Sequence, residues 1–312
     1  MLKKYGGILA LFISVLCWGP APVISKIALA EIPQLSFAFS SRFLALLILA
    51  IIFLPKGHFK VDKKDFLWLF LAGVTGATLN VGFFLYGLKL TTAMSSQAIF
   101  TTAPIITAIL AHFFLKERIN RIKIFAVILG FLGAAVIATK DFFEKGSSQS
   151  GNLLGDMLIF LAAVSWVFYI LLSKRLSKKY SPITITFYSF LVSSVIFAPL
   201  AVLENIHGNA WLNNLGSAGI FGILYQSIFS SVIAFSAYQT GIRLTSAFTA
   251  GVILYLNPVA TTIFAVYILG EKISTAFIIG TLFIITGSLI ATQYETLKNH
   301  VSKRLNRKTI KS

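Results

Sequence analysis

Arg42 sits inside an apolar run, SFAFSSRFLALLILA, about eight residues beyond its start. At 1.5 Å of rise per helical residue, that places it about 12 Å from the end of the element. An arginine at such depth in a bilayer costs at least ~2.5 kcal/mol and therefore marks a functional position by default. It could hold a carboxylate or phosphate, or it could reach outward and cap free carbonyls.

A second set of residues recurs twice. Gln97, Thr101, Pro104 and Ala108 share one helical face, and Gly251, Tyr255, Pro258 and Thr262 repeat the spacing later in the chain. Each proline removes one helical hydrogen bond and frees the carbonyl four residues earlier, at Phe100 and Leu254. In lipid a freed carbonyl must be answered by another helix or by a wet cavity. The matched prolines point to a substrate cavity, the competing reading being a packing kink. Asn80, Gln226, Ser230, Tyr238 and Asn257 also lie within apolar runs. Such groups serve either as interhelical hydrogen bonds or as ligand handles. Trp18, Pro22 and Ser25 share a face of one run, as do Trp166, Tyr169 and Ser173 of another. These stripes read as packing or as cavity wall.

The acidic residues are equally informative. There are only 10, and none falls mid-span; Asp156, near the start of its run, comes closest. A carboxylate proton relay, or a carboxylate site for lipophilic cations, needs one within the bilayer. The expected substrate is therefore neutral, zwitterionic or anionic. His112, near the end of its run, reads as interfacial. No cofactor or metal is expected, and the single Cys17 can form neither a disulfide within the chain nor a cysteine-based metal site. No His-Glu-x-x-His, Gly-x-Ser-x-Gly or Gly-Lys-[Ser/Thr] loop occurs, so a membrane enzyme or a self-contained ATP-driven pump lacks its chemistry.

These residues are positioned by elements whose solvent is lipid. Hydrophobic residues make up 57% and charged residues 12%, with a mean hydropathy of +0.85. A soluble domain carries about 25% charged residues. Ten apolar segments follow one another, at 5–28, 35–54, 66–88, 93–115, 121–139, 152–173, 183–203, 215–240, 247–269 and 274–294. The first, although it follows MLKK, is longer than a signal-peptide core and reads as a retained helix. With the amino terminus in the cytoplasm, 21 Lys and Arg fall on that side and 5 on the other. That bias puts both termini in the cytoplasm. It also gives the net charge of +17 a topological cause, so no nucleic-acid partner is expected. The basic stretch 298–312 reads as a tail at anionic headgroups.

The chain also repeats itself. GLKLTTA at 87–93 returns as GIRLTSA at 241–247, 154 positions on. The match runs through Pro104/Pro258, Thr107/Thr261 and Glu117/Glu271, and with an offset of 148 through Trp18/Trp166, Ser25/Ser173 and Lys26/Lys174. A duplicated five-helix unit follows, divided as 1–146 and 147–297, with the linker-like EKGSSQSG at the midpoint. Five is odd, so the second copy enters the membrane inverted. Two inverted halves can exchange conformations, which turns an outward-open cavity into an inward-open one.

The chain resembles the drug/metabolite transporter superfamily, and within it the EamA-type ten-helix carriers, over residues 5–295. Trp18-Gly19 with Ser25-Lys26, Ser41-Arg42-Phe43, and the twice-used Gly-x-[Lys/Arg]-Leu-Thr-x-Ala, Pro, Leu-x-Glu-[Arg/Lys] carry the resemblance. It implies an all-α, polytopic plasma-membrane secondary carrier, often an exporter, with its cavity between the repeats. Small polar metabolites such as amino acids are the expected cargo; a multidrug or other metabolite carrier of the same fold is the alternative, ahead of a non-transporting membrane enzyme or scaffold. The candidate lining comprises Trp18, Arg42, Asn80, Gln97, Thr101, Trp166, Tyr169, Gln226, Ser230, Tyr238, Tyr255 and Asn257, with kinks at Pro22, Pro104 and Pro258. A monomer or weak homodimer in the lipid bilayer is expected. A non-transporting scaffold would show no central cavity.

Overall fold

The computed structural model describes residues 2–53, 55, 60–91, 93–117, 120–145, 153–206, 211–269, 275, 278–287 and 289–290. The midpoint linker, the boundary at 146/147, Glu271 and the basic tail lie outside the described residues. Among those described, every regular element is helical. The helices are α1 (Leu2–Trp18), α2 (Ala21–Ala28), α3 (Gln34–Phe53), α4 (Phe66–Ala72), α5 (Asn80–Leu90), α6 (Ala93–Phe100) and α7 (Ala103–Leu115). They continue as α8 (Arg121–Lys145), α9 (Leu153–Leu176), α10 (Pro182–Ile206), α11 (Ser217–Tyr225), α12 (Ala234–Leu244), α13 (Ala247–Ile253) and α14 (Leu256–Leu269).

Among the described residues, 7 continuous helical stretches are long and apolar enough to cross a membrane. They are Tyr5–Ala28, Gln34–Phe53, Lys63–Leu90, Leu153–Leu176, Pro182–Ile206, Ser217–Leu244 and Ala247–Phe264. The chain is a polytopic helical membrane protein. Its fourth apolar segment is divided into α6 and α7, its fifth lies in α8, and its tenth is described as the short helix Ile278–Gly287. Side chains such as Leu16, Ile51, Phe113 and Val202 face outward, as a lipid solvent permits.

Breaks occur where the sequence forces them. Gly19 and Pro20 separate α1 from α2. Before Pro104 the chain tightens, with Thr102 N donating to Ile99 O at 3.0 Å. Before Pro258, Tyr255 N donates to Val252 O at 3.1 Å and Asn257 N to Leu254 O at 3.0 Å. Among the described residues, two spans contain a π-helical segment at their centres, Gly73–Leu79 between α4 and α5 and Gln226–Ile233 between α11 and α12. Under the 154-residue offset these two segments coincide to within one residue. π turns leave extra carbonyls, and side chains answer them here: Ser231 Oγ donates to Gln226 O at 2.6 Å and Thr78 Oγ1 to Gly73 O at 3.2 Å.

The largest helix contacts cross the sequence midpoint. α1 packs on α12, α5 on α9 and α3 on α10. A Cβ on Gly7 would stand 2.8 Å from Leu244 Cβ, and one on Gly155 would stand 2.9 Å from Leu90 Cβ. A Cβ on Gly241 would meet Leu11 at 2.4 Å, and one on Gly87 would meet Ile159 at 2.8 Å. Each member of one seam is the repeat mate of a member of the other. Both seams are antiparallel, because Gly7 lies by Leu244 while Leu11 lies by Gly241. Small residues let the backbones close, and van der Waals packing is what holds helices together in lipid.

Among the described residues, three carboxylates cap helix starts. Glu117 accepts from Ala247 N at 2.9 Å and Phe248 N at 3.2 Å. Glu204 accepts from Leu35 N at 3.2 Å and Ser36 N at 2.8 Å, and Glu31 from Gly216 N at 3.0 Å and Gly219 N at 2.8 Å. Each satisfies orphan donors and lies at the positive end of a helix dipole.

Candidate functional site

A cavity of ≈ 110 Å³ lies at the centre of the bundle, between elements from both halves of the chain. It has room for on the order of ten waters. Trp18, Pro22, Arg42, Asn80, Gln97, Trp166, Gln226, Ser230 and Asn257 line it, together with Ser25, Phe84, Phe100, Phe235 and Leu254. The other residues singled out in the sequence lie outside that lining. Tyr238 and Tyr255 are buried and spend their hydroxyls on packing: Tyr238 donates to Ala250 O at 2.9 Å and Tyr255 to Val127 O at 3.0 Å. Thr101 is buried in the turn between α6 and α7, with Pro104 opening α7 and Pro258 at the start of α14. Tyr169 is fully buried, its ring centroid 5.1 Å from that of Trp166.

The floor of the cavity is aromatic. Trp18 and Trp166 meet edge to face at 5.2 Å, and Phe235 lies 5.6 Å from Trp18 and 5.4 Å from Trp166. Tyr238 closes the group at 5.1 Å from Trp18 and 5.3 Å from Trp166. Aromatic pairs of this kind contribute about 0.5–1.5 kcal/mol each beyond their burial. Trp18 is fixed by its indole N–H, which donates to Ser230 O at 2.9 Å within the π segment.

Arg42 is 1% exposed and still lines the cavity. Its Nη1 donates to Ser231 Oγ, and its guanidinium carbon lies 5.4 Å from the ring centres of both Phe190 and Phe235. Its Nε has no hydrogen-bond partner, and no ion pair to it is formed among the described residues. The reason Ser231 meets Arg42 is local: the π turn rotates residues 226–231 relative to a regular helix, with Gln226 and Ser230 on the cavity and Ser231 against Arg42.

Four polar atoms of the lining are buried without a partner. Two are donors, Arg42 Nε and Trp166 Nε1, and two are acceptors, Gln226 Oε1 and Asn257 Oδ1. An unanswered buried polar atom costs about 1–3 kcal/mol, so these four call for water or a ligand in the cavity to answer them. Asn80 is partly committed, donating through Nδ2 to Ala162 O at 2.9 Å. The arrangement offers a cation and an indole N–H to an anionic group, two amide oxygens to N–H or O–H donors, and aromatic faces to an apolar part.

The lining residues occupy only part of each span. In α9 and α12 the chain continues past Trp166 and Phe235 into Tyr169, Ser173, Tyr238 and Gln239, all buried. Gln239 Nε2 donates to Ser173 Oγ at 2.7 Å there. In α2 and α5 the chain runs from the lining directly to Lys26 and Leu90. The cavity therefore lies toward the membrane face of Lys26, and the face of Lys174 is packed shut. A surface cluster ties the halves at the shut face: Lys179 bridges Asp62 and Asp65, Tyr180 Oη donates to Asp65 at 2.6 Å, and Arg175 lies 3.9 Å from the Trp68 ring centre. The hydrogen bonds that Lys179 donates to Asp62, then to Asp65, hold its ammonium well above the usual lysine range.

The comparisons with known proteins agree with this architecture. A solved crystal structure superposes with a TM-score of 0.76 at 19% identity, covering 93% of this chain and 98% of the other. An uncharacterized transporter of Clostridium kluyveri is 29% identical over 88% of this chain and 89% of its own length. One of Archaeoglobus fulgidus is 28% identical over 91% and 96%, and YetK of Bacillus subtilis 27% over 92% and 87%. The model of the EamA-like transporter family matches twice, at 5–139 and 153–293. With both halves of its length matched, the chain belongs to the EamA-like transporter family, as a multi-pass plasma-membrane transporter and not an enzyme.

Proposed function

We infer that this protein is a secondary active or facilitative carrier that exports small polar metabolites such as amino acids by alternating access. Its two repeats, 1–146 and 147–297, are inverted, and both termini are cytoplasmic. The observation that carries the reading is Arg42, a fully buried cation that lines a cavity with a free Nε and, among the described residues, no ion pair to a carboxylate. A substrate carboxylate supplies the missing charge, the Trp166 indole a second donor, and Gln226 and Asn257 acceptors for an ammonium or hydroxyl. The antiparallel seams and the coincident π segments support the inversion. The Lys and Arg bias argues for a cytoplasmic Lys174 face, which puts the cavity on the exterior side of the packed layer.

Counterflow in proteoliposomes tests this. Vesicles are loaded with a pool of unlabelled amino acids and challenged with each in labelled form. Exchange that is lost in Arg42→Gln and Asn257→Ala, both still folded, supports the reading. Exchange that is retained in both variants places the substrate elsewhere.

A further inference from the structure

Lys26 and Lys174 are repeat mates at the ends of α2 and α9. Each reaches the carboxyl end of a neighbouring helix in its own half. Lys26 Nζ donates to Thr91 O at 3.3 Å, just past the end of α5. Lys174 Nζ donates to Ile242 O at 2.7 Å and to Thr245 O, at the end of α12. Thr91 and Thr245 are themselves mates, and Leu88 is the mate of Ile242. The same clamp is thus built twice, once on each membrane face.

The two copies differ in one respect. On the shut face the half-buried Lys174 grips two carbonyls. On the cavity face the exposed Lys26 reaches one, over a longer distance, and makes no bond to Leu88 O among the described residues. Helix-end carbonyls are orphan acceptors at the negative end of a dipole, so an ammonium is the favoured partner and a second carbonyl tightens the hold. Asp156 lies by the loose clamp, accepting from Thr91 Oγ1 at 2.8 Å; its mate on the shut face is Ile8, which carries no charge.

We propose that Lys26 and Lys174 are a pair of reciprocal gate residues: the clamp that holds two carbonyls shuts its face, and the transport cycle passes the tight clamp from one lysine to the other. This rests on the alternating-access reading. Exchange of conformation between the halves turns the Lys174 geometry into the Lys26 geometry. In the opposite state Lys26 therefore grips Leu88 O and Thr91 O, and Lys174 keeps a single long bond.

The test uses full-length protein in proteoliposomes, in a Cys17→Ser background, with one reporter cysteine at a time. Phe84→Cys, in the cavity wall, reports opening of the Lys26 face; Gln239→Cys, buried below the floor, reports opening of the Lys174 face. The rate of labelling by a membrane-impermeant maleimide, applied from the appropriate side, is read for each. Lys174→Gln is expected to speed labelling at 239 and slow it at 84. Lys26→Gln is expected to do the reverse. Charge-assisted bonds of this kind translate to about a tenfold change in the ratio of the two rates. Lys→Arg at either position restores the parent pattern and separates a lost clamp from a damaged fold. Shifts in the same direction, or none, in a protein whose two reporters respond oppositely to substrate, overturn the clamp and leave alternating access standing. Reporters that never respond oppositely in the parent protein overturn alternating access, and the clamp with it.

Discussion

Replacing Arg42 by Gln separates a binding arginine from a structural one. Holding the guanidinium in the membrane interior costs roughly 2.5–3.5 kcal/mol on insertion scales. Its hydrogen bond to Ser231 returns about 1.5–3 kcal/mol. The rings of Phe190 and Phe235, at 5.4 Å, return about 0.5–2 kcal/mol each. These contributions nearly cancel, leaving a modest balance in favour of arginine, and Gln keeps a donor for Ser231. Arg42→Gln is therefore expected to lower stability by no more than ~2 kcal/mol, and to leave a protein that extracts and elutes normally. The effect on binding is expected to be larger in kind. A carboxylate that loses one charge-assisted bond binds more weakly by ~1.5–3 kcal/mol, roughly ten- to a hundredfold in Kd. An amide or ester analogue carries no negative charge to lose and is expected to bind the variant as well as the parent. The assay is titration calorimetry in detergent with the acid and its amide, beside a melting curve. A variant that melts far below the parent while its Kd for the acid is unchanged would refute the reasoning and make Arg42 a packing residue.

Further outcomes follow from other contacts. A Cβ at Gly76 would stand 2.3 Å from the Tyr169 ring, whereas one at Gly82 stands 3.7 Å from Phe197; Gly76→Ala is expected to destabilise by ~1–3 kcal/mol and Gly82→Ala to be neutral or better, compared by melting temperature. Glu117→Ala strips two amides at the start of α13 of their acceptor and is expected to cost about 1–3 kcal/mol, while Glu117→Gln recovers part of it. The Lys179 ammonium, raised by Asp62 and then Asp65, keeps those pairs across neutral pH and loses them as pH climbs through its raised value, or as pH falls through the Asp65 value that Lys179 lowers. Because the cluster is at the surface, Lys179→Ala is expected to leave the melting temperature nearly unchanged, and raised salt to erase any difference. Trp166→Phe keeps the aromatic floor but removes a free donor, so it is expected to weaken acid binding without lowering the melting temperature.

Much of the fold is legible in composition and periodicity. Apolar runs of about 20 residues mark spans because lipid demands them. The repeat marks equivalence because GLKLTTA and GIRLTSA build the same helix end twice. Equivalence is not contact, however. Nothing in either copy states that α1 packs on α12 or α5 on α9, since that choice depends on glycine-lined surfaces meeting across the midpoint. The π segments were not legible either: Gly73–Leu79 and Gln226–Ile233 carry ordinary helix-compatible residues, and the extra carbonyls are answered by Ser and Thr that occur throughout the chain. Tyr238 lies about one turn from the lining residue Phe235 and Tyr255 is the neighbour of the lining residue Leu254, yet both spend their hydroxyls on neighbouring carbonyls. Spacing along one helix cannot tell these two uses apart. Glu31, Glu117 and Glu204 are legible as loop carboxylates, and their partners, helix starts far away in sequence, are not.

The duplication supplies matched backbones and unmatched chemistry, and the mismatch has a direction. Tyr169, Ser173 and Gln239 lie below the floor toward the shut face; their mates toward the cavity face are Ala21, Ser25 and Leu85. Gln239 Oε1 and the Tyr169 hydroxyl are both without a hydrogen-bond partner there. One path is therefore walled by hydroxyl and amide groups that packing leaves unsatisfied, the other by methyl and leucine side chains with one serine. Burying those polar groups costs free energy that opening the Lys174 face would recover as water or substrate reached them. The clamp at Lys174, two carbonyls strong, acts against that gain, while the apolar path on the other face needs less to hold it. On the alternating-access reading proposed above, a stronger clamp over the more polar path keeps two states of such unequal lining close enough in free energy to exchange.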